Sequence, residues 1–260
     1  MSHDAARHTN RPGRGQPVGS GHDIHVNPVG VARRLAWVAG ALLLAHIGVL
    51  LSRFGWGHGR LYGLLPLFDL DHEQNLPTFF SGALFLANAS LLALIWRARR
   101  SARRERGWAG LACLFCFLAF DELFSVHETL ILPVREAYHL GGPLYYAWVV
   151  PYAVALAVIS LAYIPFWVRL DPSDRRRIGL SAAVYLSGAV GMELVVGWHA
   201  DLTQERFNLV RGLLTGLEES LEMAGLIIFL YSLLRTLESQ CGELRFVLTP
   251  ADQAGRRHCC

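Results

Sequence analysis

Six runs of about 17 to 24 mainly apolar residues divide this chain, each long enough to cross roughly 30 Å of hydrocarbon as a helix. They are Leu35 to Leu51, Phe79 to Trp96, Trp108 to Phe124, Tyr145 to Val168, Ile178 to Val196 and Leu213 to Leu234. Hydrocarbon offers no water to backbone N–H and C=O groups, and a helix satisfies them within its own segment. Over 260 residues the chain is 53% hydrophobic, with a mean hydropathy of +0.32, too apolar for an ordinary soluble domain. The expected fold is therefore all-α: a polytopic membrane protein with a six-transmembrane-helix bundle over residues 31–236. Residues 1–30 are polar and lack the short apolar core of a signal peptide, so a disordered tail is expected there, with a second tail over 237–260.

Orientation follows from arginine, because cytoplasmic loops retain positive charge and the chain contains no lysine. Nineteen of the 24 arginines fall in the N-terminal segment, the Arg97–Arg106 loop, the Arg169–Arg177 loop and the C-terminal tail. Arg53, Arg60, Arg135, Arg206 and Arg211 share the three opposite loops. Both termini are then expected in the cytoplasm of a bacterial inner membrane. Thirteen of the 21 acids lie on the other side or in the outer halves of the spans, which leaves −8 outside and +11 inside. Topology and anionic lipid account for the basic loops, so no nucleic-acid partner is expected.

Acids inside apolar spans are costly unless they meet a cation, a proton or water, which makes them functional candidates. At ~1.5 Å of rise per residue, Asp121 lies about 20 Å beyond Trp108, and Glu222 and Glu218 lie about 20 and 25 Å from Arg235. Glu193 sits within a turn of the outer end of the fifth span. Three helices thus bring carboxylates to a common depth. If the third helix continues, Asp121, Ser125 and Glu128 share a face, with Glu122 and His127 on its flanks. On the sixth, Glu218, Glu222 and Gly225 share a face. Gly188, Gly191, Gly216 and Gly225 permit close helix approach, which brings Glu193 toward the sixth-helix glutamates.

Clustered carboxylates do not all stay ionised without a cation. Carboxylate oxygens with one or two imidazoles suit iron, manganese, zinc or calcium, and helix bundles build metal sites from glutamates on facing helices. The one Glu-x-x-His, Glu136 to His139, falls in an outer loop after Pro133, where a solvated pair is the plainer reading. Asp69, Asp71 and Glu73 form either a binding loop or a solvated turn and helix cap, and His199 with Asp201 either a site or an interfacial pair. Cys113 and Cys116 are a mid-span Cys-x-x-Cys expected to pack against a neighbouring helix. No nucleotide loop, nucleophile elbow or dinucleotide fingerprint is present.

Three segments together resemble a group of bacterial multipass membrane proteins to which no activity is assigned: Asp69 to Pro77, Asp121 to Glu128 and Glu218 to Met223. The likeness spans Asp69 to Leu234 and implies no particular chemistry. A looser resemblance is to membrane metal hydrolases of the alkaline ceramidase type, which gather Ser, Asp and His around zinc. Their paired His-x-x-x-His is missing here, and six spans replace seven. The first functional expectation is a metal-dependent, lipid-directed membrane hydrolase. In it Asp121, Glu122, Glu193, Glu218 and Glu222 surround a divalent zinc, iron or manganese ion, and His127 or Glu128 handles protons. A cation or proton transporter using the same acids, or a non-catalytic membrane subunit, is the alternative.

Overall fold

The computed structural model describes residues 22–57, 65–70, 74–99, 106–204, 206–241 and 245–248. Helix α1 (Pro28–Leu50) runs on through a π-helical turn at Leu51–Gly55. It is followed by α2 (Leu76–Arg99), α3 (Arg106–Phe124), a short α4 (Ile131–Tyr138) and α5 (Val149–Trp167). Helix α6 (Pro172–Leu186) continues through a π-helical stretch, Ser187–Met192, into α7 (Glu193–Thr203), and α8 covers Leu209–Cys241. Six of these helical units are long and apolar enough to cross a membrane. Beside them, β1 (His22–His25) pairs antiparallel with β2 (Arg245–Leu248), so the end of the stretch expected as a disordered tail is ordered. Residues 1–21 of that tail lie outside the described residues.

Local chemistry sets the helix ends. Asn27 caps α1 by accepting from the N–H groups of Val29 and Gly30, with Pro28 pre-set at the first helical position. Asn75 does the same for α2, its Oδ1 taking the Thr78 N–H at 2.8 Å and the Thr78 hydroxyl at 3.0 Å. Helix α4 ends at His139 and α7 at Gln204, both left-handed with φ of 50°.

Helix α8 is the axis of the bundle: 61% of its apolar window is buried, against 6% for α5. Its close approach to α6 depends on glycine. A Cβ on Gly225 would sit 2.6 Å from the Tyr185 backbone nitrogen, and one on Gly188 would sit 2.8 Å from the Glu218 carbonyl oxygen. Toward the end that carries Arg99, Arg106 and Arg177, Leu92, Ile95, Trp108, Leu230 and Leu233 form a closed apolar core. Phe115 stacks on Phe229 there at 4.8 Å. Helix α5 meets α3 near its two ends: Tyr152 donates to Asp121, the Tyr163 hydroxyl donates to the Gly107 carbonyl, and Phe166 lies edge-on to Trp108 at 5.1 Å. Trp37, Leu44, Val154, Val158, Leu161 and Leu180 are exposed around the perimeter. So broad an apolar surface belongs in lipid.

Candidate functional site

The third span does not continue as a helix past Phe124, which reorganises the acids read along it. Ser125 takes a left-handed φ of 49°, and the chain turns back into a 3₁₀ turn at His127–Leu130. The common face expected of Asp121, Ser125 and Glu128 is therefore broken. It is His127 that folds over Asp121, while Glu128 is exposed. Asp121 accepts the His127 backbone N–H at 2.8 Å and faces the His127 ring Nδ1 at 3.3 Å. It also accepts the Tyr152 hydroxyl at 2.9 Å. The carboxylate thus fixes the imidazole by one nitrogen and directs the other away. Trp148 supports the ring from the side, with centroids 4.7 Å apart, and lies perpendicular to Tyr152.

A second group of acids sits across from this pair. The Trp148 indole N–H donates to Glu193 at 2.6 Å. Glu193 in turn neighbours Glu218, and two carboxyl groups at close quarters do not both ionise readily without a bound positive charge. Glu218 is only 8% exposed. One turn further along α8, Glu222 neighbours Tyr185, Glu219 and Glu122. Gly188 is what lets the Ser187–Met192 stretch carry Glu193 this close to α8.

All these groups line one cavity of about 640 Å³, framed by α3, α5, α6, α7 and α8. Its walls carry seven carboxylates, Asp121, Glu122, Glu128, Glu193, Glu218, Glu219 and Glu222, against His127 and Arg211. The lining also includes apolar side chains, Leu114, Phe117 and Leu118 of α3 and Leu156 and Ile159 of α5. Among the described residues, no three His, Cys, Asp or Glu side chains are arranged as ligands for one metal ion. Asp121, Glu122, Glu193, Glu218 and Glu222 are thus brought together around one space without forming a ready ligand set. Both oxygens of Asp121 are engaged by His127 and Tyr152.

The other candidates fall elsewhere. Asp69 is fully buried and takes Arg53 at 2.8 Å, while its backbone carbonyl accepts from Asn75, so this loop is an anchor under α2. Asp71 and Glu73 lie outside the described residues. Glu136 and His139 are exposed, His199 bonds Asn208, and Asp201 accepts the Gly142 N–H at 2.8 Å. Cys113 and Cys116 are free and exposed on α3, and Cys113 neighbours Tyr163 of α5. Trp148, Tyr152 and Tyr185 were missed. A tyrosine near the end of an apolar span reads as an interfacial anchor, and nothing in its own spacing points to a carboxylate on another helix.

The family model described as "Domain of unknown function (DUF8692)" matches residues 35–237, and the chain belongs to that family. No curated protein and no solved structure matches it.

Proposed function

We propose that this is a membrane-embedded hydrolase of lipid-like molecules, with His127 as the general base and Asp121 as the residue that orients it. The observation carrying this reading is the Asp121–His127 pair on the wall of a cavity lined by both carboxylates and apolar side chains. An imidazole held through Nδ1 presents Nε2 as the base, and the adjacent carboxylate stabilises the imidazolium that forms. In the proposed step Nε2 takes a proton from water while the water oxygen bonds to an ester or amide carbonyl carbon. The bond to the leaving oxygen or nitrogen then breaks, and the same proton passes to that atom. Glu128 is exposed at the mouth and is a poorer candidate for the proton.

A metal-dependent version needs side-chain movement to bring three carboxylates onto one point, whereas the acid–base version uses contacts already made. A transporter needs a path to the other face, and the core around Trp108, Ile95 and Leu233 blocks that direction. The distribution of arginine favours both termini in the cytoplasm of a bacterial inner membrane, with the cavity toward the outer leaflet. The substrate partner is then membrane lipid.

The test is turnover by purified protein in nanodiscs of mixed membrane lipid, read by mass spectrometry of released products. His127→Gln should lower the rate at least about 100-fold, the lower bound for losing a general base, without changing the melting temperature. Wild-type turnover by that variant, or no hydrolysis of any ester or amide lipid by the native chain, overturns the proposal.

A further inference from the structure

We infer that the cavity takes a single-chain amphiphile with a protonated amino head group, entering sideways from the lipid between α3 and α5. This rests on the reading of the cavity as a lipid-directed site and names the class of lipid. Charge comes first: seven carboxylates face one arginine and one histidine, so a phosphate, sulfate or carboxylate head meets repulsion from most of the wall. Glu218 points the same way: it is buried, lines the cavity and neighbours the carboxyl group of Glu193. Among the described residues the Trp148 indole N–H serves one oxygen of this buried acceptor pair, which leaves acceptor capacity for further N–H donors. An ammonium group brings up to three donors and a full positive charge. It also needs no convergence of three ligands on one point, which the site does not offer a metal ion.

The apolar part of the ligand is specified by the apolar lining from α3 and α5. Helices α3 and α5 are tied at Tyr152 to Asp121 and again at Tyr163 to Gly107. The eleven-residue step from Tyr152 to Tyr163 spans about 16 Å of helix. Within that stretch Phe117 and Leu156 both line the cavity and are exposed, at 49% and 37%, so they are the jambs of a lateral opening. Their position midway along two spanning helices puts that opening at the depth of lipid tails, away from water. A soluble amine has no reason to use such a route, and an alkyl chain does.

Equilibrium binding of radiolabelled dodecylammonium to the full chain in phosphatidylcholine nanodiscs tests this, with empty nanodiscs correcting for partition. About one equivalent should bind above partition, and unlabelled dodecanoate or butylammonium should compete at least tenfold more weakly than unlabelled dodecylammonium. Dodecyltrimethylammonium, which carries charge but no N–H, should also compete more weakly. Glu218→Gln should weaken binding at least tenfold. Equal competition by dodecanoate, or no binding above empty nanodiscs, overturns the assignment whether or not Glu218→Gln folds. Normal binding without hydrolysis sinks the enzyme reading alone. Hydrolysis of a neutral lipid without ammonium binding sinks this one alone.

Discussion

Asp121→Asn separates chemistry from scaffolding at the site, because the two effects it should have differ greatly in size. Oδ1 of Asp121 accepts both the Tyr152 hydroxyl and the His127 backbone N–H, and an asparagine carbonyl in the same place retains both. Each bond changes from charge-assisted to neutral, a loss of about 1 kcal/mol apiece and on the order of 2 kcal/mol in all. A protein with an ordinary stability of about 5 to 15 kcal/mol stays folded through that. The second oxygen, however, becomes an NH₂ group facing His127 Nδ1 at 3.3 Å. Two donors do not pair, so the imidazole proton moves to Nε2 and the base is lost. The comparable change in a Ser-His-Asp triad lowers kcat about 10⁴-fold, equivalent to about 5 kcal/mol of barrier. The assay is paired: lipid turnover in nanodiscs, and thermal unfolding followed by circular dichroism. A near-complete loss of rate with a small loss of stability is expected. Wild-type turnover, or unfolding severe enough to explain the loss, refutes the assignment of Asp121 as the orienter of a catalytic His127.

Three other outcomes follow from the same geometry. A reporter that fluoresces only in the cytoplasm should light up when fused after Arg177 or Cys260 and stay dark after Gly142 or Gln204; the reverse pattern inverts the proposed orientation. Gly225→Ala should destabilise the bundle by about 1 to 3 kcal/mol through overpacking, since its Cβ would meet the Tyr185 backbone at 2.6 Å, whereas Gly40→Ala, with nothing within 4 Å, should not; equal unfolding midpoints in denaturant would contradict that close approach. Elemental analysis of the detergent-purified chain should return well under one equivalent of zinc, iron or manganese, and a stoichiometric, tightly held metal would restore the metal-dependent mechanism.

The six spans were legible because length and apolarity are properties of continuous segments. The depth of the acids was legible too, since helical rise is fixed. What the sequence did not carry was the break after Phe124. Asp121-Glu122-Leu123-Phe124-Ser125-Val126 holds no proline or glycine, and a left-handed serine has no composition signal of its own. Because that turn went unseen, His127 was placed on a flank of α3 and Glu128 on the face of Asp121. The partners of the acids were also out of reach: Trp148 and Tyr152 come from α5 and its lead-in, whose orientation toward α3 depends on packing that no periodicity records.

The chain contains a second buried polar cluster, and the contrast between the two explains why only one is read as a site. His46 is fully buried between α1 and α8, yet each ring nitrogen is accounted for: Nε2 donates to the Gly212 carbonyl at 2.9 Å and Nδ1 accepts the Leu70 N–H at 3.1 Å. Asp69 beside it holds Arg53, whose guanidinium also lies over the Phe207 ring at 4.5 Å. Every contact there closes on the protein itself and joins α1, the segment before α2 and the start of α8. Breaking it by Arg53→Met should cost about 3 kcal/mol or more, because a buried carboxylate loses its cation. Near Glu193 and Glu218 the contacts do not close in this way, since two carboxyl groups are turned toward each other and toward an open space. Burial of polar groups is common to both clusters and predicts neither role. The difference is that the His46 cluster closes on the protein, whereas the Glu193–Glu218 pair lines a cavity, where the proposed ligand would meet it.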